Sequence, residues 1–166
     1  MYQFATINNH NLLNARAIHE VFQQSYRVEK DILSLEHFPP LDRTVDDILC
    51  SKTLFYGISL VEISSETPNP FCGICELSRN NEKSISIDSF TVCPDYFRRS
   101  VGTALMQFVI QLYYQETIHV STATDNVPAV NFYNKNGFII DSHDNTSCGL
   151  QLVKMKRIPT NCDHPR

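Results

Sequence analysis

The sequence predicts a single α/β domain with a mixed, mostly antiparallel sheet flanked by helices. Its 166 residues are the length of one ordinary domain, and hydrophobic residues make up 42% of them, enough to bury a sizeable core. Segments rich in β-forming residues alternate with segments whose apolar residues follow helical spacing. We place the domain at residues 1–158 and expect 159–166 to be a flexible C-terminal tail.

The first half of the chain is predicted to form a strand, two helices and an antiparallel meander. Residues 2–7 have the composition of a short strand, and apolar residues from Leu12 to Tyr26 follow helical spacing. Pro39-Pro40 stops any helix that continues toward it. Thr44-Val45-Asp46-Asp47 has the form of a helix N-cap with an acidic third residue. Three strands are then expected, at residues 54–63, 71–77 and 84–92, with turns at 64–70 and 79–82.

The second half is predicted to place a helix on each side of a short strand and to end in a hairpin. An amphipathic helix is expected from Val101 to about Tyr114, and a strand at residues 118–122. Asn126 can cap the next helix, whose second position is Pro128, and Asn136-Gly137 ends it. The final strands are expected at residues 138–142 and 148–156.

The charge balance argues against nucleic-acid binding. The chain has 14 basic and 18 acidic residues, a net charge of −4, and a mildly acidic surface does not attract phosphate backbones. No apolar run reaches the roughly 18–20 residues that cross a bilayer, and the first residues lack the layout of a signal peptide. We therefore expect a soluble, cytoplasmic protein with neither a nucleic-acid nor a membrane partner.

The six cysteines are predicted to be buried, inert thiols. Cys72 and Cys75 form a C-x-x-C pair, but in a predicted strand rather than at a helix N-terminus, where a redox thiol is activated. A strand would point these two thiols to opposite faces. A zinc site needs a second ligand pair, and the later cysteines and histidines have poor spacing for one. Redox or metal chemistry at Cys72 and Cys75 stays the alternative, and we expect no metal.

The loop after the predicted strand 84–92 suits an anion. Residues 93–105, Cys-Pro-Asp-Tyr-Phe-Arg-Arg-Ser-Val-Gly-Thr-Ala-Leu, bring two arginines and small residues to a helix N-terminus. Unpaired N–H groups and the helix dipole favour a pyrophosphate there. Gly102 allows a close backbone approach, and the Thr103 hydroxyl adds a donor. The alternative is an ordinary strand-to-helix connection with solvated arginines.

A second motif, Asn126-Val-Pro-Ala-Val-Asn-Phe-Tyr-Asn-Lys-Asn-Gly-Phe138, completes a resemblance to the GCN5-related N-acetyltransferase superfamily. Proteins of this superfamily carry Asn-x-x-Ala-x-x-Phe-Tyr-x-x-x-Gly-Phe on the fourth helix, which this chain matches at every stated position. They carry a sequence like Pro-x-Tyr-Gln-Arg-Arg-Gly-Ile-Gly-x-Ala-Leu after the fourth strand, from which this chain departs at Phe97 and Ser100. Serine there costs conformational freedom if the loop needs a positive φ.

The resemblance implies that strands four and five are parallel neighbours which splay apart to admit acetyl-CoA. The backbone of residues 90–92 would contact the pantetheine arm, the N–H groups of residues 98–103 would hold the pyrophosphate, and Asn126 would lie near the thioester. The residues expected to bind acetyl-CoA are Phe90, Thr91, Val92, Phe97, Arg98, Arg99, Ser100, Val101, Gly102, Thr103, Asn126, Ala129 and Phe132.

The resemblance also implies acetyl transfer to a primary amine of a small molecule or peptide, both substrates being bound together. Tyr133 would protonate the leaving thiolate, and the alternative is an aromatic ring that only packs in the core. Asp88, which strand alternation places on the face of Phe90 and Val92, is the candidate general base. A solvated carboxylate is an equally good interpretation of Asp88, and Glu76 is a weaker candidate.

The amine pocket implied by the resemblance lies in residues 26–41, where Tyr26, Glu29 and Phe38 would suit a small cationic amine. The alternative is that the acidic residues form a solvated helix face. A competing function is a non-catalytic acyl-CoA-binding or regulatory module, which the departures at Phe97 and Ser100 keep open. Dimers are common among proteins of this resemblance, so a homodimer is compatible with it.

Overall fold

A computed structural model describes residues 1–60, 70–146 and 149–159, which contain one seven-stranded sheet. The strands are β1 (Tyr2–Ile7), β2 (Leu54–Leu60), β3 (Gly73–Asn81), β4 (Ser84–Val92), β5 (Thr117–Ala123), β6 (Ile139–Asn145) and β7 (Gln151–Arg157). The α-helices are α1 (Leu12–Ile32), α2 (Val45–Cys50), α3 (Val101–Leu112) and α4 (Val127–Lys135), and short 3₁₀ helices cover Pro39–Asp42 and Pro94–Tyr96. The strand order is β1-β2-β3-β4-β5-β7-β6.

The β4–β5 pair is parallel and every other strand pair is antiparallel, which confirms the predicted mixed sheet. The β4–β5 pairing runs from Ser84 opposite Thr117 to Ile87 opposite Val120 and stops there. Within the described part of the chain, residues 88–92 of β4 therefore have no strand partner on that edge. The predicted splay between strands four and five is confirmed.

Side-chain caps set the starts of three helices, as the sequence predicts for α2 and α4. The Asn11 side chain accepts hydrogen bonds from the first turn of α1, and Thr44 and Asp47 form a reciprocal capping box on α2. The Asn126 side chain accepts from the Ala129 N–H at 3.2 Å. Gly137, with φ of 85°, follows the end of α4.

Two elements continue four or more residues beyond their predicted ends. Helix α1 continues to Ile32, because no proline or glycine interrupts its polar face, and it ends just before Ser34, whose φ is 50°. Strand β3 continues to Asn81, through residues expected to form a turn. Its polar side chains are exposed strand residues with partners: Asn80 donates to the Ser86 hydroxyl at 2.9 Å, and Arg79 pairs with Glu116 at 2.8 Å.

The core lies on both faces of the sheet. On one face, α1 residues Ile18 and Phe22 form an apolar cluster with Phe55 and Ile74. The other face is covered by α3 and α4 residues, which join strand residues in a larger cluster. Its most deeply buried members include Ile58, Leu77, Ile85, Leu105, Met106, Val109, Ile118 and Phe138. The two layers hold the ends of β4, α1, α3 and α4 in fixed relative positions.

The thiols of Cys72, Cys75 and Cys93 are buried and free, as predicted, whereas Cys50 is exposed. Burial raises the pKa of each buried thiol. Cys72 and Cys75 belong to one apolar cluster, so the prediction of opposite faces is wrong. Strand alternation does not apply to Cys72 because β3 begins one residue after it.

Some expectations lie outside the described residues: most of the turn at 64–70, the start of the last strand, Cys148, Cys162 and most of the tail. Across residues 1–60, 70–146 and 149–159, no three His, Cys, Asp or Glu side chains are grouped so that they could hold a metal ion. None of the helices described in these ranges has the length and apolar character needed to span a membrane.

Candidate active site

A β-bulge at Asp88 marks the point where β4 leaves β5. In the β3–β4 register Ile87 lies opposite Leu77 and Ser89 lies opposite Glu76, so Asp88 is the extra residue. A bulge bends its strand, increases the local twist and shifts the alternation of side chains by one position. Because the β4–β5 pairing ends at Ile87, the bend and the opening of the sheet coincide.

The bulge places Asp88 on the face of the sheet opposite Phe90, so the predicted shared face is wrong. The Asp88 carboxylate accepts a hydrogen bond from the Ser78 hydroxyl at 2.9 Å. Ser78 and Glu76, two residues apart on β3, share a face. Phe90 instead packs against Phe132 of α4, with ring centroids 5.3 Å apart. Burial raises the pKa of Asp88, and the hydrogen bond from Ser78 partly offsets this by lowering it.

A cleft of about 840 Å³ opens where β4 and β5 separate, lined by α1, α4 and the start of α3. It brings together most of the predicted residues: Tyr26, Glu29, Phe90, Thr91, Val92, Phe97, Arg98, Ser100, Val101, Gly102, Thr103, Asn126, Ala129, Phe132 and Tyr133. Asp88, Arg99 and Phe38 do not line it. The cleft also includes residues that sequence reasoning missed, namely Ser25, Val28, Ile32, Tyr96, Pro128, Asn131 and Lys135.

Helical spacing in the sequence could have pointed to two pairs of the missed residues. Val28 and Ile32 lie on the part of α1 beyond its predicted end at Tyr26, one turn apart. Asn131 and Lys135 are four residues apart on α4, and therefore on one side of that helix. Val28 and Ile32 lie within the predicted amine-pocket range 26–41, but they were not singled out as pocket residues.

The loop before α3 has the backbone shape of an anion site. Ser100 has φ of 61° and ψ of 10°, which is left-handed, and it is followed directly by the helical Val101. A left-handed residue joined to a right-handed one turns successive N–H groups toward one concavity. No side chain caps the N-terminus of α3, so its first N–H groups stay available. The loop does need a positive φ at the position where the chain has serine.

Contacts behind the loop fix its position. The Tyr2 hydroxyl of β1 donates a hydrogen bond to the Arg99 carbonyl. The Arg99 guanidinium lies over the ring of Tyr96, 5.8 Å from its centroid, and not in the cleft. Arg98 and Lys135 are thus the cationic side chains among the described residues that line the cleft.

The opened edge of β4 presents backbone amides to the cleft. The Cys93 N–H donates to the Cys72 carbonyl at 2.8 Å, on the β3 side. The Val92 carbonyl accepts from the Ser25 hydroxyl of α1 at 2.6 Å. Because successive strand residues direct their peptide groups to opposite edges, Phe90 and Val92 turn their N–H groups toward the edge that β5 leaves open.

A hydrogen bond between α1 and α4 closes one end of the cleft. The Asn126 amide donates to Oε1 of Glu29 at 3.0 Å, while its oxygen caps α4 through the Ala129 N–H. Burial raises the pKa of Glu29, and the hydrogen bond from Asn126 opposes that shift. Glu29 is held by a neutral donor whose own position is fixed by the helix cap.

Two tyrosines border the cleft near Glu29. Tyr133 is 6% exposed and contacts Phe132 and Phe138 edge-on, each at 5.5 Å between ring centroids. Tyr26 contacts Phe38 at 5.9 Å, so Phe38 supports the pocket from behind. Burial raises the pKa of both phenols, which therefore keep their protons near neutral pH.

Glu76 is occupied by structural contacts. It binds the Arg43 guanidinium through two hydrogen bonds of 2.5 and 2.8 Å and accepts from the Thr53 and Ser89 hydroxyls at 2.6 and 3.0 Å. Burial opposes its ionisation, but these hydrogen bonds together hold its pKa below the ordinary value. With both oxygens engaged and its pKa low, Glu76 is poorly suited to accept a proton from a substrate.

Comparisons with known proteins agree with this geometry. The model described as "Acetyltransferase (GNAT) family" matches residues 16–138. The UPF0157 protein YqkA of Bacillus subtilis (strain 168) is 34% identical over 125 residues, which are 75% of this chain and 34% of that protein. This chain thus spans about a third of the length of the curated relative that it matches.

Solved structures with low sequence identity share the fold. The ribosomal-protein-S18-alanine N-acetyltransferase from Escherichia coli has a TM-score of 0.71 at 14% identity, covering 100% of this chain and 99% of that one. Ard1 from Thermoplasma volcanium has a TM-score of 0.70 at 20% identity, covering 96% and 99%. An acetyltransferase from Bacillus anthracis str. Ames in complex with acetyl coenzyme A has a TM-score of 0.54 at 22% identity, covering 65% and 63%.

Proposed function

The chain belongs to the acetyltransferase (GNAT) family, and we propose that it transfers the acetyl group of acetyl-CoA to a primary amine of a small molecule or peptide. One observation carries this proposal: the anion-binding loop, the open edge of β4 and Tyr133 line the same cleft. The acetyl coenzyme A in the Bacillus anthracis structure supports the choice of co-substrate.

The residues of the cleft fit acetyl-CoA. The N–H groups that follow Ser100 and the cations Arg98 and Lys135 suit its phosphates. The Phe90 and Val92 amides suit the amide-containing pantetheine arm and, at its end, the thioester carbonyl. Apolar Phe132 covers the arm between these two regions.

The side chains of the cleft would divide the chemistry among them. Acetyl-CoA supplies the acetyl group as a thioester, whose carbon–sulfur bond breaks as the carbon–nitrogen bond forms. A backbone N–H at the open edge of β4 stabilises the negative charge on the carbonyl oxygen, and the buried Tyr133 phenol gives its proton to the departing sulfur. Binding both substrates in one cleft lowers the barrier further by proximity.

The acceptor amine is placed at the α1 side of the cleft, beside Tyr26 and Glu29, with Phe38 behind Tyr26. Asp88 does not line the cleft, and its carboxylate accepts a hydrogen bond from the Ser78 hydroxyl. The proton acceptor is therefore to be sought among the residues that line the cleft.

Calorimetry with acetyl-CoA, followed by thiol release against a panel of amines, tests the proposal. We expect acetyl-CoA to bind and free thiol to appear only when a suitable amine is present. Binding with no transfer to any amine of the panel would favour the non-catalytic acyl-CoA-binding module. No binding at all would contradict both functions.

A further inference from the structure

We propose that Glu29 is the general base, accepting the proton of the substrate ammonium group through its carboxylate. This inference rests on the proposed function and adds the group that makes the amine nucleophilic. Among the described residues lining the cleft, Glu29 supplies the sole carboxylate.

The other two candidate carboxylates are engaged elsewhere. Glu76 has both oxygens bound, with the Arg43 guanidinium bridging them. Asp88 bonds to Ser78 on the face of the sheet away from Phe90. Neither Glu76 nor Asp88 lines the cleft.

Glu29 combines a fixed position with a free oxygen. Its Oε1 accepts the hydrogen bond from Asn126, which is itself held by the N-terminus of α4. Its Oε2 has no protein donor among the hydrogen bonds of the described residues, so it is available to an ammonium group. The donor is a neutral amide, and none of the salt bridges among the described residues involves Glu29.

The charged and titratable groups around Glu29 favour this role. Tyr26 on α1 and Tyr133 on α4 interact with it electrostatically, and both stay neutral near neutral pH. Tyr96 and Arg98 line the cleft at the loop before α3, and Lys135 is nine residues, about 13 Å, along α4 from Asn126. Burial raises the pKa of Glu29, which strengthens it as a base.

The ammonium group loses one proton to Oε2 of Glu29, and the freed lone pair forms the bond from nitrogen to the acetyl carbon while the carbon–sulfur bond breaks. The sulfur takes the proton of the Tyr133 hydroxyl, and the nitrogen returns a second proton to that oxygen through water. The proton on Glu29 then leaves to solvent, so each turnover gives an amide, a free thiol and one proton.

Glu29→Gln tests the assignment, because glutamine keeps the shape and can still accept from Asn126. We expect kcat/KM to fall by about 10²–10⁴-fold, the acidic limb of its pH profile to disappear, and acetyl-CoA affinity and the melting temperature to stay unchanged. Glu29→Asp should keep the acidic limb. Asp31→Asn, an exposed change on the same helix, is the matched control and should behave like wild type.

A titration of the free protein gives a readout that does not depend on turnover. A ¹³C-carboxyl NMR titration of wild-type protein identifies the Glu29 signal as the one that is absent from Glu29→Gln. The pKa of that signal should lie above the ordinary glutamate value of about 4.3. An unchanged kcat/KM with the acidic limb intact in Glu29→Gln would overturn the assignment, as would equal losses in the Gln and Asp variants. Wild-type protein that acetylates no amine would instead overturn the proposed function itself.

Discussion

Ser100 adopts a backbone conformation that serine seldom takes. Its φ of 61° lies in the left-handed region, where a Cβ costs about 1–2 kcal/mol, and no cap hydrogen bond from its side chain compensates. Ser100→Gly relieves this strain but also increases the conformational entropy of the unfolded chain, which offsets part of the gain. The free energy of unfolding should therefore rise by about 1 kcal/mol. Chemical denaturation measures the difference.

Ser100→Ala is the matched control for that prediction, because alanine keeps the Cβ and removes only the hydroxyl. It should show no gain in stability. Acetyl-CoA affinity should be retained in Ser100→Gly, since the backbone N–H groups are unchanged. A glycine variant less stable than wild type would contradict the claim that the left-handed conformation is strained.

Tyr133 differs from an ordinary core aromatic in lining the cleft while being deeply buried. If its phenol protonates the departing thiolate, Tyr133→Phe should lower kcat by about 10²-fold or somewhat less, because CoA is a tolerable leaving group. Acetyl-CoA affinity should change little. A variant with wild-type kcat and only a lower melting temperature would assign the ring to packing alone.

The sequence predicted most residues of the cleft, and three of the residues it predicted, Asp88, Arg99 and Phe38, do not line the cleft. The site residues on the α3 loop and α4 were expected because the two motifs resemble those of the superfamily. Asp88 was assigned to the wrong face because no residue type predicts a β-bulge. One extra residue in β4 reverses which side chains point to each face of the sheet. Arg99 stacks on Tyr96, a contact set by the conformation of the loop that contains both residues, and Phe38 packs behind Tyr26 through a tertiary contact.

Helix α4 owes both its start and its link to α1 to Asn126. Asn126→Ala should cost about 1 kcal/mol of stability through the lost cap and should also release Glu29. Asn11→Ala removes the equivalent cap of α1 away from the cleft and should cost a similar amount. Only the Asn126 variant should lower acetyl transfer, and equal activity in the two variants would contradict the bridging role.

The Arg43–Glu76 pair ties the segment before α2 to the centre of the sheet. Removing one partner of a buried pair leaves an uncompensated charge, so Glu76→Gln should cost about 3 kcal/mol at neutral pH. The pKa of Glu76 is depressed on folding. The stability it contributes is thus present above its unfolded pKa, about 4.3, and is lost as pH falls through the lower folded value.

Denaturation as a function of pH checks this prediction. Wild-type stability should fall between about pH 5 and the folded pKa of Glu76, and this component should be absent in Glu76→Gln. Asn11→Ala, which removes the α1 cap without touching any carboxylate, is a suitable control. An identical acid response in Glu76→Gln would show that the pair does not control acid stability.

Element boundaries were predictable where a cap or a glycine sets them, and less so elsewhere. Thr44, Asn126 and Gly137 sit where the sequence placed them, because each satisfies the backbone locally. The end of α1 has no such signal: no proline or glycine follows Tyr26 in this segment, and the helix continues until the chain turns at Ser34. That extension supplied Val28 and Ile32 to the cleft.

The cleft is electrically asymmetric. Arg98, Lys135 and the N-terminus of α3 make one part of the cleft positive, which suits the phosphates of acetyl-CoA. Glu29 makes the α1 side negative, which suits a cationic amine. This polarity would orient both substrates with the thioester between them. A homodimer and a cytoplasmic location stay predictions from the sequence.

The most direct test of acetyl transfer follows a deuterated acetyl group from acetyl-CoA by mass spectrometry. With a suitable primary amine, the label should appear on the amine nitrogen, in amounts equal to the free thiol released. The intact protein should carry no label, because both substrates are bound together and the amine attacks directly. Labelled protein, or bound acetyl-CoA whose label reaches no amine, would contradict direct N-acetyl transfer.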